Sequence, residues 1–257
     1  MQQNFTMNDL QTLLYFPFKD SNSRSRLLIA SAVGLAGFII PIVPWLFILG
    51  YAGAIMKQII VDKQEPSMPD WKNWNEYISL GVKLFGVNII YAIPAFIPML
   101  FGYGAMMLPA FMDAFSRNPH TYSNPDQFLG ITMLFSFGGF ALFGIGMLFS
   151  IIIWIFLPPA LAHVVAKDSF AAGFQFREWW KVFRANIGGF ILSIVIAGGL
   201  YMVLMFVTQI IYMTIIFCIL LPFLFAFISA YLSIIVFTLF AQAYSDGVMK
   251  LEGLTTI

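Results

Sequence analysis

The sequence has few of the side chains that carry chemistry. It contains one cysteine and two histidines, and only 10% of its 257 residues are charged. A lone cysteine, Cys218, excludes an internal disulfide framework and a thiolate metal cluster. A net charge of +1 excludes the strongly basic surface that nucleic-acid binding requires. We therefore expect no nucleic-acid partner, no metal and no cofactor.

Apolar residues are what the chain has in excess, at 60% of the total. An ordinary soluble domain has about 25% charged residues, and the long uncharged runs here leave nothing from which to build a polar surface. The runs predict an all-α, polytopic transmembrane helical bundle. We interpret residues 1–257 as a single integral membrane domain in the lipid bilayer of the cell (inner or cytoplasmic) membrane.

The start of the chain does not resemble a secretory signal. Residues 1–26 are polar and lack the apolar segment and small-residue cleavage site of such a signal. Within them, residues 6–18 place leucines and phenylalanines among polar side chains, which is typical of a short helix in the headgroup region. We interpret residues 1–26 as a cytoplasmic or interfacial N-terminal segment.

The first apolar run, residues 27–56, is either one crossing or two. It is longer than the roughly 20 residues that one crossing needs, and Pro41 and Pro44 interrupt helical hydrogen bonding near its middle. A hairpin of two short helices leaves only Arg117, among 13 lysines and arginines, on the outer side. A single span separates the basic residues less well. We therefore favour the hairpin, with both termini cytoplasmic.

The rest of the chain is predicted to cross the membrane four more times, giving about six spans. These segments run from Tyr77 past Leu100, from Phe128 to the Pro158-Pro159 pair, and twice within residues 185–245, where Pro222 kinks the last crossing or lies near its start. An outer loop is predicted at residues 113–127, because it is rich in Asn, Pro and Ser. Two cytoplasmic connectors remain, which we call the first connector (residues 62–77) and the second connector (residues 163–184).

The two connectors indicate an internal parallel repeat. Each follows a proline-bearing helix and precedes another apolar helix, and Phe176-x-x-Trp179 stands where the first connector has Trp71-x-x-Trp74. The aromatic residues of the first connector recur at helical spacing, which predicts an interfacial helix over residues 66–78.

The connectors carry the candidate interface for a cytoplasmic or membrane protein partner or for lipid, because their tryptophans alternate with charged residues. The candidate residues are Trp71, Trp74, Trp179, Trp180, Arg177 and Lys181. An ordinary aromatic belt, in which amphipathic rings settle at the bilayer interface, explains the same pattern.

No candidate catalytic or metal-binding group emerges from the spans. His120 and His163 are predicted on opposite sides of the membrane, the first in a loop and the second at the interface, so they cannot share a metal. Lys83 is close enough to a span end to extend its amine to the headgroups. Glycines such as Gly50 in Gly50-x-x-x-Ala54 have the spacing of close helix packing. We expect a protein that is not an enzyme.

Several short motifs carry a family resemblance. They are Tyr15-x-Pro17-Phe18-x-Asp20, Gly50-Tyr51, Pro69-x-Trp71-x-x-Trp74 and Tyr91-x-x-Pro94. With them the chain resembles an uncharacterised family of bacterial and archaeal membrane proteins, domain-of-unknown-function family 4013. The resemblance implies a polytopic integral membrane protein of unassigned activity, and it assigns no catalytic or ligand-binding residue.

Two functions follow as hypotheses. The first is a non-enzymatic membrane component that binds a protein partner or lipid through its cytoplasmic connectors. The alternative is a transporter or channel subunit for a neutral or lipidic small molecule. The scarcity of charge within the spans favours the first over ion-coupled transport.

Overall fold

Every regular element in the described part of the chain is helical. The structure, a computed structural model, describes residues 7–115, 125–213 and 219–253, and it has no strand within them. The helices are α1 (Met7–Tyr15), α2 (Ser21–Ala36), α3 (Val43–Ile60), α4 (Trp74–Phe115), α5 (Pro125–Lys167), α6 (Phe176–Ala185), α7 (Ile187–Met213) and α8 (Leu221–Leu251), with 3₁₀ turns at Phe16–Phe18 and Phe170–Phe174. The predicted all-α class is confirmed.

Five of these helices are long and apolar enough to cross a membrane. Among the described residues they are α3, α4, α5, α7 and α8. Helix α2 has 16 residues, which gives it a length of about 24 Å against a hydrocarbon core of about 30 Å. The chain is therefore an integral membrane protein with five candidate spans, and the predicted sixth crossing depends on the shorter α2.

The first apolar run is broken into two helices, as the hairpin interpretation predicted. Helix α2 ends at Ala36 and α3 begins at Val43. Between them Ile42 has φ 74°, and the Val43 N–H donates to the Pro41 carbonyl at 2.9 Å, which makes a γ-turn of a kind that is rare for a β-branched residue. An uninterrupted helix over this run is excluded.

The predicted outer loop is shorter in the structure. Helix α4 continues to Phe115 and α5 begins at Pro125, so both ends of the predicted loop are helical, and residues 116–124 lie outside the described part of the chain. The Pro158-Pro159 pair also lies inside α5 and does not end it. Prolines are tolerated within membrane helices because neighbouring groups satisfy the freed carbonyls. Pro222 was predicted either to kink the last crossing or to lie near its start, and it lies in the first turn of α8.

The contacts divide the chain into two compact units, the first comprising Met1–Val87 and Pro158–Ile257. Helix α8 is the centre of this unit and packs against α2, α3, α6 and α7. Its buried face includes Ile234, Ile235 and Leu239. Helices α3 and α4 approach closely, because a side chain at Gly50 would collide with the Tyr77 carbonyl and one at Gly81 with the Leu46 carbonyl. The packing role predicted for Gly50 is confirmed.

The N-terminal helix belongs to the same unit. The short helix predicted within residues 6–18 is observed as α1. Leu13 and Phe16 beyond it are buried, and the Tyr231 hydroxyl of α8 donates to the Leu14 carbonyl at 2.8 Å. One side of this N-terminal segment therefore packs against α8.

The second unit, Asn88–Leu157, consists of parts of α4 and α5. The two helices cross through small residues, since a side chain at Gly102 would meet the Gly139 carbonyl and one at Gly146 would meet the Ala95 carbonyl. Large apolar side chains such as Phe137 point outward and are exposed. Small residues between helices and apolar residues outside are the arrangement expected of helices in lipid.

Candidate functional site

Each connector is tied to a neighbouring helix of the first unit by an ion pair. The Lys83 amine is 2.8 Å from the Asp168 carboxylate and donates to the Asp168 carbonyl at 3.0 Å. Lys57 and Glu76 pair at 3.0 Å across the ends of α3 and α4. Lys83, expected to extend to the headgroups, instead joins α4 to the second connector. Its hydrogen bond lowers the pKa of the Asp168 carboxyl from the ordinary value.

The first connector is an extended strap for most of its length. Residues 63–70 have no helical structure and α4 begins only at Trp74. The prediction of a helix over residues 66–78 is therefore wrong for residues 66–73. Pro66 and Pro69 account for this, because each lacks a backbone donor and biases the preceding residue away from helical geometry.

Trp71 holds the strap against the helices. Its ring lies parallel to that of Tyr51 with centroids 4.3 Å apart, and its exposed fraction is 9%. The Trp71 indole N–H donates to the Arg26 carbonyl at 2.9 Å, and the Tyr51 hydroxyl donates to the Pro69 carbonyl at 2.8 Å. Arg26 also pairs with Asp70 and donates to the Met68 carbonyl. Trp71 is thus a packing residue.

Trp74, three residues on, is placed differently. It is 40% exposed and touches Trp71 and Phe47, with ring centroids 5.0 Å and 5.2 Å away. Of the two tryptophans predicted in this connector, Trp74 alone presents a large ring surface outward. The structure therefore brings the pair together but gives it only one exposed member.

The inner face of α6 packs the second connector onto α8. Trp179 has an exposed fraction of 0%, and its indole N–H donates to the Gly173 carbonyl at 3.2 Å. Val182 is buried next to it, and a side chain at Gly247 of α8 would collide with the Val182 carbonyl. Trp179 is therefore also a packing residue.

The outer face of α6 carries a basic stripe, which we define as Arg177, Lys181 and Arg184. The three residues are four and three positions apart, so they lie along one side of the helix, opposite Trp179. All three are exposed, and none makes an ion pair with another residue that the structure describes. Two of them, Arg177 and Lys181, were predicted from the sequence.

Two aromatic rings border the basic stripe. Phe176 is 52% exposed and Trp180 is partly exposed. Their rings are stacked, with centroids 5.3 Å apart and planes at 18°. The outer side of α6 therefore combines apolar rings with cationic groups, as amphipathic helices at a bilayer interface do.

Sequence reasoning missed a polar cluster behind α6. His163 was expected at the interface, but its exposed fraction is 3%. Its Nδ1 is 2.6 Å from the hydroxyl oxygen of Tyr244 on α8, and its Nε2 is 3.3 Å from a carboxylate oxygen of Glu178 on α6. Lys167 lies 3.9 Å from the same carboxylate. Tyr244 is 81 positions away along the chain, so no local spacing signalled the cluster.

The described residues hold no group of three or more His, Cys, Asp or Glu side chains that could bind a metal ion. His120 and Cys218 lie outside the part of the chain that the structure describes. The site is therefore defined by its surface: Trp74 in the first connector, and Phe176, Trp180 and the basic stripe in the second.

Comparison with known proteins identifies a family for the chain but no individual relative. No curated protein matches it, and no solved structure does. A family model described as a protein of unknown function (DUF4013) matches residues 33–213. This match covers both connectors and four of the five candidate spans. The chain belongs to the DUF4013 family of proteins of unknown function.

Proposed function

We propose that the protein is a non-enzymatic, multi-pass component of the cell (inner or cytoplasmic) membrane that binds membrane lipid through the exposed residues of its two connectors. The connectors lie on the cytoplasmic side in this proposal. No cofactor takes part.

The observation that carries the proposal is the position of the exposed aromatic residues. Trp74 begins the candidate span α4, and Phe176 and Trp180 lie in the short segment between the candidate spans α5 and α7. Amphipathic rings at span ends settle among lipid headgroups. Trp71 and Trp179, which would be the largest anchors for a protein partner, are already used inside the unit. Lipid therefore fits the remaining surface better than a protein does.

Depth-dependent fluorescence quenching tests the proposal. The full chain is reconstituted in bilayers with lipids brominated either near the headgroup or deep in the acyl chain. We expect shallow bromines to quench the wild type and to quench a Trp74→Phe/Trp180→Phe variant much less. Trp154→Phe is the matched control, because Trp154 is exposed within the α5 span. That control should lose deep quenching and keep the shallow component.

Three results contradict the proposal. If shallow quenching survives the double substitution, the headgroups contact tryptophans other than Trp74 and Trp180. Quenching of Trp74 and Trp180 by aqueous iodide alone means that the connectors are solvated. A peripheral protein that co-purifies with the wild type and is lost from the double variant assigns the surface to a protein partner.

A transporter or channel subunit is the second candidate, and His163 is the observation in its favour. A titratable side chain buried within a candidate span marks ion or proton pathways in many membrane proteins. Here it is bonded to Tyr244, which makes a structural role equally consistent with the contact. Gradient-driven flux from the purified chain in vesicles, abolished by His163→Gln, would favour transport of a small molecule and overturn the first proposal.

A further inference from the structure

We propose that the basic stripe on α6 selects anionic phospholipids by binding their phosphodiester headgroups. This inference rests on the proposed function, because it names the lipid that one part of the connector surface prefers. Its three cations are Arg177, Lys181 and Arg184, and its occupant is a lipid of the membrane in which the chain resides.

The first step is that the stripe makes no ion pair with any residue that the structure describes. Four other basic residues at this end of the first unit are paired with carboxylates: Arg26 with Asp70, Lys57 with Glu76, Lys83 with Asp168 and Lys167 with Glu178. The three cations of the stripe have no such pairing among the described residues. Glu178, the one acidic residue of α6, faces His163 and Lys167. Three positive charges on one helix face are thus left for an external anion.

The second step is that α6 joins the ends of two candidate spans, where the headgroups of a bilayer are expected. It lies between Lys167, where the candidate span α5 ends, and Ile187, where α7 begins. Its apolar face is occupied by α8, so it cannot roll to bury the cations or turn them elsewhere. The stripe is therefore fixed in orientation, with the exposed rings of Phe176 and Trp180 along one border.

The third step concerns chemistry. Guanidinium groups donate paired hydrogen bonds to phosphate oxygens, and lysine adds a point charge. Both zwitterionic and anionic lipids contain phosphate, but only anionic lipids lack a compensating headgroup cation. An attraction of about fivefold per cation near an anionic surface predicts that the stripe prefers anionic lipid by about tenfold or more.

The test uses the full chain in phosphatidylcholine bilayers that contain brominated phosphatidylglycerol or brominated phosphatidylcholine. Trp180 borders the stripe and reports the approach of either lipid. We expect phosphatidylglycerol to reach half-maximal shallow quenching at about one-tenth of the mole fraction that phosphatidylcholine requires. The Arg177→Gln/Lys181→Gln/Arg184→Gln variant should lose this preference, and so should the wild type at 1 M salt, where charge interactions are screened over about 3 Å.

A matched variant removes the same number of exposed charges elsewhere. Lys19→Gln/Lys63→Gln/Lys72→Gln lies in the N-terminal segment and the first connector, and it should keep the preference for phosphatidylglycerol. Loss of preference in this variant as well would mean that net charge, not the stripe, selects the lipid, and the inference would fail.

The remaining outcomes separate the inference from the proposed function. Equal quenching by the two lipids in the wild type overturns the anionic selectivity but leaves lipid binding intact. Absence of shallow quenching by either lipid overturns both. A third outcome is that soluble polyglutamate displaces brominated phosphatidylglycerol and abolishes the preference for it in every bilayer tested. That outcome would assign the stripe to an acidic protein segment and overturn the inference.

Discussion

The two connectors each bury one tryptophan, but they do so with different backbone conformations. In the first, an extended strap buries Trp71 by stacking it on Tyr51. In the second, helix α6 buries Trp179 against α8. Both indoles donate to a backbone carbonyl, of Arg26 and of Gly173 respectively. A buried tryptophan needs such an acceptor wherever it lies, so the shared feature follows from burial and does not require a shared backbone.

Charge is where the connectors differ. Asp70 and Glu76 of the first connector are paired with Arg26 and Lys57 of the neighbouring helices. On α6, by contrast, the basic stripe is without a carboxylate partner in the described part of the chain. The comparison teaches that Asp70 and Glu76 hold the first connector to neighbouring helices, whereas the basic stripe of the second connector is presented outward. This difference is why we propose the second connector, more than the first, as the binding surface.

The comparison also bears on the predicted internal repeat. That hypothesis aligned Phe176 with Trp71 and Trp179 with Trp74. The burial of the two pairs is reversed: Trp71 is buried and Trp74 is exposed, whereas Phe176 is exposed and Trp179 is buried. The aligned residues therefore do not play matching roles, and the repeat stays a prediction.

The largest expected effect comes from truncating the buried tryptophans. Trp179→Ala and Trp71→Ala should each lower the free energy of unfolding by about 3–5 kcal/mol, because each leaves a large cavity and an unpaired carbonyl. Trp74→Ala, at an exposed fraction of 40%, should cost about 1 kcal/mol or less. Denaturant titration in detergent measures the three values. Equal costs for all three would remove the distinction between packing and surface tryptophans.

An intermediate effect is expected from the polar cluster around His163 in the second connector. His163→Phe should cost about 1–3 kcal/mol, because it leaves the buried Tyr244 hydroxyl without its partner. Tyr244→Phe should cost about 1 kcal/mol. In a double-mutant cycle the two changes together should cost less than the sum, by about 1 kcal/mol. Additive costs would mean that the 2.6 Å contact contributes nothing to holding α5 on α8.

The smallest expected effect concerns the ion pair between Lys83 of α4 and Asp168 of the second connector. The hydrogen bond from Lys83 lowers the pKa of Asp168 in the folded state. The pair therefore stabilises the fold at pH values above the ordinary value of 3.8, and this contribution is lost as the pH falls through the lowered pKa. Its size should be about 0.5 kcal/mol, because the Asp168 side chain is 66% exposed.

Asp168→Asn provides the measurement. The difference in unfolding free energy between wild type and variant should be constant from neutral pH to about pH 5 and shrink below pH 4. Lys83→Met should give the same profile, since either change removes the pair. A difference that grows on acidification would have the wrong sign for a carboxyl with a lowered pKa.

The sequence by itself determined the class of the protein and the break in its first apolar run. Long uncharged runs require a lipid environment, and in lipid the backbone must satisfy its hydrogen bonds within each helix. Helices α3, α5, α7 and α8 therefore follow from composition alone. The break before α3 follows from Pro41 and Pro44, because proline interrupts helical hydrogen bonding. Pro222 left a kink and a helix start equally open, and the Pro158-Pro159 pair did not end α5.

Only the tertiary structure decided what the polar and aromatic residues do. Trp71 and Trp74 are the same residue type and lie three positions apart, yet Trp71 is buried and Trp74 is exposed. Lys83 and Asp168 are 85 positions apart, and His163 and Tyr244 are 81 apart. Such contacts form between helices that are distant in the sequence. Helical periodicity indicates which residues share one face of a helix, but it does not indicate which other element packs against that face. The basic stripe on α6 is a further case, because its lack of a carboxylate partner among the described residues depends on where those carboxylates lie in the fold.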